Sequence, residues 1–160
     1  CDWSLDVCSS DLYYVPQGQG TPAFRNCNIQ QGFIDDREWV CLNANAAKEN
    51  PRAVVKTGDI LVARSGIPGN CCVVTEPYNG RGAVDIVIVR LFPKAAVSDF
   101  MKASLCSSFA QKAFLSMSCG VALSHLGATP VASLFVPLPP LAEQKRIVKR
   151  LDEVLKLVKA

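Results

Sequence analysis

Histidine is nearly absent: the 160 residues hold one, His125. A single imidazole cannot complete a Cys/His metal set of familiar spacing. With no paired acid evident, it also argues against a Cys or Ser nucleophile, whose base must be oriented by a third group. The eight cysteines include no C-x-x-C pair. Cys71 and Cys72 are adjacent, while Cys27, Cys41, Cys106 and Cys119 sit among apolar or small residues, where a reduced cysteine acts as a small hydrophobe. Unpaired thiols of a cytoplasmic protein are the expectation. Long hydrophobic runs are missing too. Val84 to Leu91, broken by Asp85 and Arg90, falls far short of the ~20 residues that span a membrane. No basic, apolar leader opens the chain, so no secretory signal is expected.

What is present is a globular composition, 49% hydrophobic and 19% charged, in a length suited to one domain with an appendage. The net charge of +3 is unevenly placed, because residues 141–160 hold six cations against three anions and residues 1–140 balance to zero. A neutral body is not the footprint of an indiscriminate polyanion binder, so any nucleic-acid contact must come from a local patch. Residues 2–12 resemble the conceptual translation of a sequencing-library adapter, and the chain opens at Cys1 without an initiator methionine. Residues 1–12 are therefore read as a non-native leader, with native sequence from about Tyr13.

Along the chain, Asn28–Ile34 reads as a short strand ending in a turn. Thr57-Gly58-Asp59 is a tight turn feeding a buried strand, Ile60–Ala63. Residues 64–70, with two glycines and a proline, form a loop before a returning strand, Cys71–Thr75. Val84–Leu91, apolar at nearly every position, predicts a strand covered on both faces. Ser98 reads as an N-cap with Asp99 in the first turn. Met101, Leu105, Phe109 and Ala113 at spacings of four predict one amphipathic helix ending before Gly120. Thr129-Pro130 opens a short helical turn to Leu134, and Phe135–Leu138 reads as an extended edge strand. Pro139-Pro140 is the clearest boundary. Beyond it Ile147, Leu151, Val154 and Val158 recur at 4-3-4, a heptad seam on a helix too short to be stable alone. The cations flanking that seam, interleaved with Glu143, Asp152 and Glu153, read as a solvated face.

Three ordered segments carry a resemblance. They are Gly-Asp-Ile-Leu-Val-Ala-Arg-Ser-Gly-Ile-Pro-Gly at 58–69, Cys-Gly-Val-Ala-Leu-Ser-His-Leu-Gly at 119–127, and Val-Pro-Leu-Pro-Pro-Leu-Ala-Glu-Gln-Lys-Arg-Ile-Val at 136–148. Together they resemble the target-recognition domain of type I restriction-modification specificity subunits, over about residues 23–157. The chain departs from that family at Val121, where a Ser or Thr usually follows the glycine. It also holds one recognition domain and one helix start where the subunit has two of each.

The resemblance implies an α+β domain over 13–140, with a twisted mixed or antiparallel sheet and flanking helices, followed at 141–160 by the start of a coiled-coil spacer helix. It implies a non-catalytic chain that reads half of a split double-stranded DNA target. Its partners would be methyltransferase subunits using S-adenosylmethionine, a restriction-translocase subunit using ATP and Mg, and a second spacer helix from the same subunit or a second copy. Arg suits guanine and Asn or Gln suits adenine, since each can bond two atoms of one base edge. The candidate DNA contacts are accordingly Asn28, Gln30, Gln31, Arg64, Ser65, Gly66, Asn70, Arg81, Ser124 and His125. For Arg64 the alternative is an ion pair across the sheet, and for Arg81 a plain turn. Ile147, Leu151, Val154 and Val158 are the candidate helix contacts. The main rival is the recognition domain of a single-chain methyltransferase, but the chain holds neither an Asn/Asp-Pro-Pro-aromatic motif nor the usual Gly-x-Gly cofactor loop. A generic interaction module would explain the helix but not the ordered loops.

Overall fold

A computed structural model describes residues 14–92, 94–118 and 125–158. The expected leader lies outside them. The hub of the fold is a three-stranded antiparallel sheet. Its central strand is β4 (Ile60–Ala63), flanked by β5 (Cys71–Val73) and β7 (Ile86–Val89). All four residues of β4 and of β7 are buried, and strand geometry explains why both runs are apolar throughout. Successive side chains point to opposite faces. Ile60, Val62, Cys71, Val87 and Val89 pack with Met101, Leu105, Ala110, Phe114 and Leu126 on one side. Leu61, Ala63, Cys72, Ile86 and Ile88 pack with Phe24, Ile29 and Val55 on the other.

A second, mixed sheet has the order β1 (Tyr14–Val15), β3 (Val40–Leu42), β2 (Thr21–Phe24), β6 (Gly82–Ala83). Only the β2–β6 pair is parallel. Gly82 permits that pairing, since a Cβ there would lie 2.9 Å from Leu42 and 3.2 Å from Ala23. Asn43 caps the short helix α1 (Ala44–Glu49), its side chain accepting from the amides of Asn45 and Ala46. The turn into β4 is closed by Gly58 at φ +89° and by Asp59, which accepts from the Lys56 amide at 2.8 Å. The α+β class and mixed sheet match the expectation from sequence.

The helical half departs from it. The single helix expected from 98 to before 120 is two, α2 (Ser98–Leu105) and α3 (Ser108–Ser118). The Ser107 side chain accepts from the Ala110 amide at 3.3 Å, restarting the helix and shifting its phase. Ala110 and Phe114 are thereby buried, while Phe109 is 66% exposed. Ser98 is not the cap either. It lies inside α2, its hydroxyl donating to Gly58 O at 2.7 Å, and Val97 occupies the cap position. Helix α4 (Ala128–Ala132) opens after Gly127 rather than at Thr129. Residues 135–138 join no sheet, and Phe135 stands 90% exposed.

Helix α5 (Leu141–Val158) begins directly after Pro139-Pro140. Gln144 seats it. This fully buried side chain accepts from Val97 N at 2.8 Å and donates to Ala95 O and Pro139 O. Beyond it, Ile147 is half-buried, and Leu151, Val154 and Leu155 are 40%, 43% and 53% exposed. Arg146–Glu143 and Arg150–Glu153 pair along the solvated face.

Candidate nucleic-acid interface

Strand β4 ends where β5 and β7 begin, and four loops converge there. Asn26 is their tie. Its amide nitrogen donates to Asp85 O and Oδ2 at 3.1 and 3.2 Å, while its carbonyl oxygen accepts from the amides of Arg64 (2.7 Å) and Ser65 (3.3 Å). Arg64 Nη1 meets Asp85 Oδ1 at 2.7 Å, and its Nε donates to Leu126 O at 3.1 Å. Leu126 N returns a bond to Arg64 O at 2.9 Å. Asp85 reaches this position at φ +56°, a left-handed conformation that Asp tolerates better than most residues. Loops 25–37, 64–70 and 84–85 and the segment from 125 thus share one polar knot.

A second set of bonds holds the tip of loop 25–37. Asn28, fully buried, accepts from Arg25 N and donates to Asp35 O and to Arg37 O, the last at 2.7 Å. Gly32 N donates to Cys71 O at 2.9 Å, and Gln31 Nε2 to Cys106 O at 3.2 Å. Asn70 reaches Ile29 O. Gln111 on α3 donates to Gly69 O and Leu105 O, each at 2.9 Å. Gly69 must be glycine, because its φ is +93° and a Cβ would lie 2.9 Å from the Phe114 ring.

These placements revise the contacts expected from sequence. Asn28 and Asn70 are buried, 0% and 8% exposed, and spend their amides inside the protein, so neither faces outward. Arg64 adopts the ion-paired alternative, with 19% of its side chain exposed. Arg81 lies 4.1 Å over the Trp39 ring and 4.7 Å over that of Tyr78, in a cation–π stack rather than at a free turn. Gln30 is half-buried and bonds to Cys27 O. Gln31, Gly66 and His125 are exposed, and Ser65 is half-buried beside them. Ser124 and Val121 lie outside the described residues.

Sequence reasoning missed Asn26, Asp85, Gln111 and Gln144. Asp85 had a signal, a lone charge inside an apolar run. Asn26 falls in a segment, 25–29, that loosely resembles the family's early part, but its partners lie up to 59 residues away; Gln111 had no signal, its partner Gly69 lying 42 residues away.

The electrostatics of this face suit a polyanion. Each aspartate of its loops has a cation beside it: Asp35 with Arg37 at 2.6 Å, Asp36 with Arg81 at 3.9 Å, Asp85 with Arg64. Hydrogen bonds from Arg37 hold the Asp35 carboxyl below its ordinary range. Exposed Arg25, in loop 25–37, adds positive charge. Exposed Phe33 and Ile67 follow Gly32 and Gly66, which turn the backbone at φ +89° and +75°. No group of three metal-ligating side chains occurs among the described residues, and no described helix is long and apolar enough to cross a membrane. An apolar groove of about 590 Å³ lies at the other end of the sheet, between β7, α2 and residues 131–138. Its one charged residue, Arg90, is engaged with Asp59 and the carbonyls of Arg52 and Val54.

The class comes from the family comparison, which is to a specificity domain of restriction-modification systems. A family model described as "Type I restriction modification DNA specificity domain" matches residues 43–160, and the chain belongs to that family. It is 28% identical over 135 residues to the type I restriction enzyme EcoBI specificity subunit of Escherichia coli, covering 84% of this chain and 28% of that protein. To the EcoKI specificity subunit of Escherichia coli strain K12 it is 28% identical over 138 residues, covering 84% and 29%. The chain therefore spans under a third of the curated relatives it matches. Among solved structures, the HsdS subunit from Thermoanaerobacter tengcongensis superposes with a TM-score of 0.69 at 18% identity, covering 98% of this chain and 43% of that one. A chain from a structure of the type I R-M system, described for complex assembly and conformational transition, gives 0.72 at 21% identity, covering 99% and 36%. At these identities the structures speak for the fold.

Proposed function

We propose that this chain is a target-recognition domain of a type I specificity subunit and reads one half of a split DNA site through the loop face at the end of β4. The observation that carries this is the bonded convergence of loops 25–37 and 64–70 with residues 125–126 on a rigid sheet. Such a scaffold holds exposed Gln31, Gly66 and His125 in fixed positions, and rigidly presented loops are the usual carriers of recognition. Beyond its bond to Cys106 O, Gln31 keeps its amide oxygen and one amide hydrogen for an adenine edge, and Arg25 suits a phosphate. The chain itself is non-catalytic. Methyltransferase subunits with S-adenosylmethionine and a translocase subunit with ATP and Mg supply the chemistry in the cytoplasm.

Helix α5 is the start of the spacer helix. Its uncovered Leu151, Val154 and Leu155 take a second such helix, from the same subunit or another copy, which fixes the distance between half-sites. The test is selection from a randomised duplex library at fixed salt, using two copies joined through paired α5 helices. A split motif of constant spacing is the expected result. Equal recovery of all sequences by folded, paired protein would sink the proposal.

A further inference from the structure

Beneath the loop face lies a pair of sulfur atoms that DNA reading does not use. We propose that Cys71 and Cys106 form a reversible oxidation site, a dithiol that hydrogen peroxide converts to a disulfide at the root of the loop face. Cys71 opens β5 and Cys106 closes α2, and their Sγ atoms stand 3.0 Å apart although the residues are 35 positions apart in sequence. A disulfide needs about 2.05 Å, so the sulfurs must close by about 1 Å. The strand pleat makes the pairing selective. Cys72 points to the opposite face of the sheet, with Phe24 and Ile29, while Cys71 faces α2 and α3.

The two thiols differ as an attacking and a resolving sulfur must. Cys71 is fully buried, and Cys106 is partly exposed. The hydrogen bond from Cys71 and the nearby Lys102 lower the Cys106 thiol below its ordinary range, against the effect of burial. The same hydrogen bond, then burial, pushes Cys71 up. The Cys106 thiolate attacks peroxide, breaking its O–O bond, and gives a sulfenic acid and hydroxide. The Cys71 thiol then attacks that sulfur, forming the S–S bond and releasing water. Sulfur supplies two electrons in all, and peroxide accepts them. A small thiol reverses the step by exchange.

The site is coupled to the loops above it. The carbonyl of each cysteine accepts a bond from the reading loop, Cys71 O from Gly32 N and Cys106 O from Gln31 Nε2. Oxidation therefore moves the two residues from which that tip hangs. The chemistry holds whether or not the face reads DNA.

Peptide mass mapping of the reduced full chain after hydrogen peroxide and alkylation tests this. The expected product is a Cys71–Cys106 cross-link lacking two hydrogens, returned to thiols by dithiothreitol. In Cys71→Ala, Cys106 should stop at a sulfenic acid that dimedone traps. Cys72→Ala should cross-link as the unaltered chain does. The unaltered chain decides the matter by itself. Peroxide that leaves both thiols free, links other cysteines, or carries Cys106 to sulfinic acid uncross-linked overturns the proposal.

Discussion

Replacing Arg64 by Ala separates a structural role from base reading. The side chain makes an ion pair with Asp85 at 2.7 Å and a bond to Leu126 O at 3.1 Å, with 19% and 32% of the paired side chains exposed. Exposed ion pairs contribute about 0–1 kcal/mol, and breaking a buried pair costs about 3–5 kcal/mol. Asp85 keeps Asn26 Nδ2 and the Ser65 hydroxyl as donors, which places Arg64→Ala between those limits, at about 2 kcal/mol. For a chain of this length that is a fall of about 4–8 °C in thermal midpoint. Pairing it with Asp85→Asn, which retains a side chain that tolerates positive φ, should give a coupling of about 1 kcal/mol in a double-mutant cycle. The assay is thermal unfolding followed by circular dichroism, with urea unfolding for the cycle energies. An unchanged midpoint together with altered preference at one base pair would refute the reasoning, because Arg64 would then act on DNA and not on the loops.

Three further outcomes follow from single side chains. Gln144→Ala removes the three hydrogen bonds of a buried side chain and should cost about 3 kcal/mol, with faster proteolysis at the 133–140 segment as α5 loses its seat. Asn28→Ala leaves the carbonyls of Asp35 and Arg37 without their amide donor. It should lower stability by about 2–3 kcal/mol, read from the urea midpoint, and broaden the signals of loop 25–37 in NMR spectra. Burial pushes the Cys72 thiol up to about 12. At pH 8 it should therefore resist iodoacetamide while exposed Cys27 is alkylated, and mass mapping of labelled peptides checks the order.

The sheet and the helix boundary were legible because they rest on local pattern. Ile60–Ala63 and the run from Val84 announce strands by continuous apolarity, and Pro139-Pro140 marks the start of α5 by removing backbone donors. The break at Cys106-Ser107 was not legible. Spacings of four from Met101 to Ala113 continue unbroken through it, and only the Ser107 cap shows that Phe109 faces water. At the candidate site the Gly-rich loop 64–70 was visible, but the direction of its side chains was not. Arg64, Asn28 and Arg81 have the residue types of a base reader, and in the fold they are engaged by Asp85, Arg37 and Trp39. Those pairings depend on topology, which periodicity does not encode.

Photo-crosslinking places DNA on the protein most directly. The full chain, paired through α5, would be bound to a selected duplex carrying 5-iodouracil and mapped by peptide mass. Adducts confined to residues 25–37, 64–70 and 125–126 are the predicted result. Adducts at the opposite end of the sheet, around Arg52 and Arg90, would contradict the account.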